Sequence, residues 1–110
     1  MKKDLINKHE EKLYNILIEL YPGAIVKREY KFHLPKENEK PRRWRFDIAF
    51  PEYTIAFEVE GGTWVGGRHI NPIGYAKDCE KYNTATAQGW KVYRLVPAII
   101  TAKYLKNLLF

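Results

Sequence analysis

Residues 44–62, WRFDIAFPEYTIAFEVEGG, constrain this chain more than any other stretch. Two apolar, aromatic runs flank Pro51, Glu52 and Tyr53, a pattern that predicts a hairpin with strands over 44–50 and 54–60. Three acids interrupt the runs: Asp47 in the first, Glu58 and Glu60 at the end of the second. The alternation of a strand puts Glu58 and Glu60 on one face with Val59 opposite, and lets Asp47 approach from across the hairpin. An uncompensated carboxylate at a packed sheet edge costs several kcal/mol, comparable with the stability margin of a whole domain. A divalent cation is the simplest compensation, and an all-oxygen cluster suits Mg²⁺ or Mn²⁺. The alternative is a set of salt bridges to Arg42, Arg43, Arg45 and Arg68.

The remainder of the chain reads as support for this hairpin. Ile6, Leu13, Ile16, Leu17 and Leu20 recur at the helical period over 4–20, with Asp4 as the expected cap and Tyr21, Pro22 and Gly23 as the stop. Glu10 borders that stripe, whereas Glu11 points the other way, so Glu10 is the acid this helix can offer. Residues 24–32 read as a strand. The loop HLPKENEKPRR then delivers Arg42, Arg43 and Arg45 beside the carboxylates, where they can contact phosphate. Gly61, Gly62, Gly66 and Gly67 allow close backbone approach to a ligand ahead of Arg68, His69 and Asn71. Their spacing matches neither a dinucleotide nor a P-loop fingerprint.

A second helix is expected over 73–88, closed by Gly89, with Tyr75, Cys79, Tyr82 and Thr86 on one face. Lys77 and Lys81 lie one turn apart on it and can face the acids. Residues 90–96 read as a fourth strand and 97–110 as an amphipathic closing helix. Its Ile99, Ile100, Tyr104, Leu105, Leu108, Leu109 and Phe110 exceed one core stripe, which points to a two-fold homodimer interface unless Leu109 and Phe110 fold back onto the sheet.

With 110 residues the chain is expected to form one domain around one core. Lys and Arg number 19 against 13 acids, a net charge of +6, and acids gathered at one site leave the exterior more basic still. That balance favours a polyanion such as nucleic acid. The single cysteine, Cys79, excludes an internal disulfide and a cysteine-rich zinc site. No apolar run reaches the roughly 20 residues of a membrane span, and the N-terminus is too charged for a signal peptide. The expected location is the cytoplasm of a bacterial or phage-infected host cell.

The order helix, three strands, helix, strand, with Asp47, Glu58 and Glu60 on successive strands, resembles the PD-(D/E)XK nuclease superfamily. The pieces that match are RFD at 45–47, EVEGG at 58–62, His69, DCEKYN at 78–83 and GWKVYRL at 89–95. They look most like the small branch of very-short-patch-repair-type and phage endonucleases. The resemblance implies an α/β (α+β) fold with a restriction-endonuclease-like core, α-β-β-β-α-β plus a C-terminal helix, its mixed four-stranded sheet flanked by helices. The chain departs from the superfamily at Glu60, where the pattern has lysine; the similar branch carries an acid there. Lys81 is then expected to supply the positive charge.

The function so implied is a Mg²⁺- or Mn²⁺-dependent endonuclease that hydrolyses phosphodiester bonds in DNA. Asp47, Glu58 and the Val59 carbonyl would hold the metal, and Glu60 and Glu10 would complete a second position or orient water. Lys81 would stabilise developing charge, with Arg68, His69 and Lys77 near the phosphates. So short a chain leaves little for base readout, so nicking or structure-selective action on branched DNA is expected. The rival is a non-catalytic nucleic-acid-binding module on the same scaffold.

Overall fold

The computed structural model describes residues 2–60 and 72–109, with side chains from residue 8 onward. Helix α1 (Lys2–Leu20) leads into strands β1 (Lys27–Lys31), β2 (Arg45–Phe50) and β3 (Ile55–Val59). Helix α2 (Pro72–Ala87), strand β4 (Lys91–Leu95) and helix α3 (Ala102–Leu108) follow. The fold is α+β: one mixed sheet in the order β1-β2-β3-β4, with antiparallel β1–β2 and β2–β3 pairs and a parallel β3–β4 pair. A parallel neighbour requires a crossover, and α2 lies in that connection.

Apolar residues divide between the two faces of the sheet. Leu13 and Leu17 of α1 and Leu105 of α3 pack with Ile48, Phe50, Phe57, Val59 and Leu95 on one face. On the other, Ala85 of α2 meets Ala49 and Ala56, whose short side chains admit the helix, beside Phe32 and Phe46.

Several expected boundaries move for local reasons. Helix α1 is already running at Lys2, so Asp4 lies inside it and is not its cap. The first strand shrinks to Lys27–Lys31 because the Ala24 N–H turns back to Tyr21 O at 3.0 Å, and Ala24 and Val26 pack on the core from a loop. The helix expected over 97–110 is a 3₁₀ turn, Pro97–Ile99, followed by α3. Thr101 restarts it, its hydroxyl accepting the Tyr104 N–H at 3.1 Å.

Two expectations about faces also change. On α2, Tyr75, Cys79 and Thr86 are exposed, while Lys81, Tyr82 and Ala85 turn inward. The sheet beneath α2 presents the Glu58 carboxylate as well as carbon, so a polar pair is what faces it. On α3 and the turn before it, Ile100, Leu105 and Leu109 are buried in the core and Ile99 and Leu108 pack against it. The excess apolar surface that pointed to a homodimer is therefore absent among the described residues there, apart from Tyr104, which is 40% exposed. Phe110 lies outside the described residues. No helix among the described residues is long and apolar enough to cross a membrane.

Candidate carboxylate site

The backbone pairing of β2 with β3 ends at Ile48↔Phe57. One step further, where Asp47 would face Glu58, side chains replace the ladder. Glu58 Oε2 accepts the Asp47 N–H at 3.1 Å, and Asp47 Oδ2 accepts the Val59 N–H at 2.7 Å. Each carboxylate thereby takes one backbone donor from the other's strand.

The β1–β2 ladder is interrupted at the same level. Arg28 pairs with Ile48 and Tyr30 with Phe46, but Glu29, opposite Asp47, adopts φ 50° and drops out. A non-glycine residue in that region is uncommon and re-aims the strand. Arg28 accordingly lies over Tyr14 of α1, while Tyr30 packs against Trp90 on the other side. In β2 the alternation slips likewise, with Phe46 in the α2-side cluster and Ile48 in the α1-side cluster.

Glu10 of α1 is 5% exposed and faces this break. Carboxylate oxygens of Glu10, Glu29 and Asp47 all lie within 4.8 Å of one another. Burial, reinforced by the neighbouring Glu58 charge, raises the Asp47 pKa to about 7. Burial and then Glu29 raise that of Glu10, against the opposing pull of Arg28. Arg28 Nε approaches Glu10 Oε1 at 3.4 Å, and Arg45 stands 4.0 Å from Glu29. Asp47 has no cationic partner among the described residues.

Glu58 and Glu60 belong to a second group, on the α2 side. Lys81 Nζ and the Tyr82 hydroxyl, the latter at 3.0 Å, both donate to Glu58 Oε1. Burial and the Glu58 charge raise the Tyr82 pKa, so that phenol is a donor at neutral pH. Glu60 pairs with Arg94 of β4, whose guanidinium lies 4.8 Å from the Tyr82 ring centre. The expected convergence of Asp47, Glu58 and Glu60 is thus divided: Asp47 gathers with Glu10 and Glu29, while Glu60 is drawn off by Arg94.

The cations of these acids are Arg28, Arg45, Lys81 and Arg94, of which only Arg45 was among the arginines expected to neutralise them. Arg42 instead lies over Trp44, 4.1 Å from the ring centre, and bonds Glu80 at 2.7 Å. Arg43 and Lys77 are exposed and make no ion pair among the described residues. Val59 meets the site through its N–H. Arg68 and His69, like the glycines at 61, 62, 66 and 67, lie outside the described residues. Glu29 is the acid that sequence reasoning missed. Its signal was positional: it precedes Tyr30 as Asp47 follows Phe46, and antiparallel pairing of the two aromatics sets the acids opposite each other.

Comparison with protein-family models, curated proteins and solved structures found no match in any of the three.

Proposed function

We propose that this chain is a divalent-metal-dependent DNA endonuclease with a restriction-endonuclease-like core. The observation that carries the reading is Asp47: a half-buried carboxylate with two further acids within 4.8 Å, its own cation missing among the described residues, and its position fixed by a backbone N–H. Three oxygens of this kind suit Mg²⁺ or Mn²⁺, which keep waters and accept phosphate oxygens as remaining ligands. The sheet order, with one parallel pair made through α2, is compatible with the proposed core.

Asp47, Glu10 and Glu29 would hold the metal, with Glu58 and the Val59 carbonyl beside them and Glu60 available for a second position. When bound, a divalent ion lowers the pKa of water and neutralises charge on the reacting phosphate. Water oxygen attacks phosphorus, the phosphorus–oxygen bond to the leaving strand breaks, and that oxygen takes up a proton. Glu10 would accept the water's proton at the carboxylate oxygen that does not hold the metal. Lys81, anchored on Glu58, would supply positive charge to the reacting phosphate, in place of the lysine missing at Glu60. Arg43, Arg45, Arg68, His69 and Lys77 would contact flanking phosphates. The activity proposed is nicking or action on branched DNA, in bacterial or phage DNA processing.

The second reading is a nucleic-acid-binding module without activity. It draws on the pairs Lys81–Glu58, Arg94–Glu60 and Arg28–Glu10, which already neutralise three of the acids. Supercoiled plasmid incubated with Mg²⁺, Mn²⁺ or EDTA separates the two. Metal-dependent nicking that vanishes in Asp47→Asn supports the enzyme. Retardation in every condition without nicking supports the binder, and nicking retained by Asp47→Asn rejects the assigned site.

A further inference from the structure

The loop from His33 to Trp44 does not lie flat on α2; an open groove of about 680 Å³ separates them. Two ties join the walls and set the distance between them. The Gln88 side chain exchanges two hydrogen bonds with the Leu34 backbone, at 3.2 and 2.9 Å, as a neighbouring strand would. Arg42 bonds Glu80 across the opening. A third contact stiffens the loop itself: His33 Nδ1 accepts the Arg42 N–H at 2.7 Å, while Nε2 stands 3.2 Å from Glu39.

The walls favour a flat, polar-edged ring. Trp44 is stacked on Phe32 with planes 12° apart and lies under the Arg42 guanidinium, 4.1 Å from its ring centre, so the stacking surface offered to the groove is the outer face of that guanidinium. Bases stack on such aromatic and guanidinium surfaces, at about 1–3 kcal/mol each. Lys36 and Arg42 are balanced by Glu39 and Glu80, so the groove is no plain anion site. Asn83 and Thr84 place an amide and a hydroxyl on its α2 wall, the groups that read base edges. Its volume falls within the range of small-ligand clefts.

We propose that this groove seats an unpaired nucleobase of the same DNA strand that the carboxylate site engages, with Lys36 on the adjoining phosphate. The proposal rests on the nuclease reading above and deepens it, by naming DNA with a single-stranded segment as the substrate class. An unpaired base is required because a paired one has its faces covered by its neighbours and its edge engaged by its partner. The spacing is suitable: Arg42 and Asp47 are five residues apart, at most roughly 17 Å in extended chain, or at most about five steps at the rise of a duplex.

The test is fluorescence anisotropy in EDTA, so that binding is read whether or not the protein cleaves. Labelled blunt duplex, the same duplex with a five-nucleotide overhang, and free dAMP as competitor are compared for the wild type and for Ala87→Trp. That change fills the groove without altering charge at an exposed position, and circular dichroism checks its fold. We expect about tenfold tighter binding of the overhang by the wild type, reduced to the blunt-duplex level by Ala87→Trp, with millimolar dAMP competing only weakly. Equal affinities for the two wild-type ligands, or a preference that survives Ala87→Trp, would overturn the proposal. So would micromolar dAMP abolishing the preference, which would make the groove a site for free nucleotide.

Discussion

Asp47 and Glu58 each hold the other's strand: the Asp47 carboxylate takes the N–H of Val59, and the Glu58 carboxylate takes the N–H of Asp47. Two acids therefore close the open end of a hairpin whose backbone pairing has already stopped. The arrangement satisfies buried donors that the ladder would otherwise leave unmatched, and it fixes two carboxylates independently of side-chain rotamers. It also brings like charges together. A cation bound beside them would relieve that repulsion.

Asp47→Asn separates the hydrogen bond from the charge, since its amide oxygen can still accept the Val59 N–H. At pH 7.5 without metal the variant is expected to melt higher than the wild type, on the order of 5 °C for a domain of this size. Calorimetric titration with Mn²⁺ should show its affinity largely lost. A lower melting temperature would mean that Asp47 is already neutralised in the free protein.

The Asp47 pKa, raised from 3.8 to about 7, fixes the sign of a pH effect. The native state holds this proton more tightly than the unfolded state does, so the contribution is fully present below about pH 4 and is lost as pH rises through about 7. Glu10 is raised and acts in the same direction. Urea midpoints at pH 4.5, 6 and 7.5 should fall more steeply for the metal-free wild type than for Asp47→Asn. Mg²⁺ should restore the midpoint at pH 7.5 and release protons when added at pH 6. Parallel pH profiles for the two proteins would contradict the assignment.

The order of elements was legible because most runs kept their own period, two in β3 and in β2 beyond Asp47, and about 3.6 in α1. The position of Glu10 was legible too, as an acid bordering an inward stripe, whereas the face expected on α2 was not the one that turned inward with Lys81. Glu29 was not, because its place depends on a positive φ and on a ladder partner far along the chain. The role of Arg94 was hidden likewise, since only the parallel register Glu58↔Arg94 brings it beside Glu60. Local pattern gives the elements; pairing of distant segments decides which acid meets which cation.

Gly89 closes α2 at φ 91°, where the Trp90 N–H reaches Ala85 O and the Gly89 N–H reaches Thr86 O, both at 3.0 Å. This is a Schellman cap, and it aims the chain into β4. A Cβ added there would meet nothing within 4 Å, so the penalty of Gly89→Ala is conformational alone. Denaturant titration should show a loss of about 1 kcal/mol, with DNA binding unchanged. Gly89→Asn should lose less, because asparagine tolerates the left-handed region.

Lys81 and Glu58 form the ion pair whose removal should cost most. Their side chains are 15% and 9% exposed, and Tyr82 is the other donor to the same oxygen. Lys81→Met retains the length of the stem over Phe46 but leaves Glu58 charged with only a phenol and a backbone N–H to balance it. Breaking a buried pair from one side costs about 3–5 kcal/mol, and the partial exposure here places the expected loss near the lower end of that range. Glu58→Gln in the same background removes the orphaned charge and should recover more than half of the loss, a coupling read from a double-mutant cycle in urea. Additive losses would show that the pair contributes nothing to stability, leaving Lys81 with no structural reason to sit against the carboxylates.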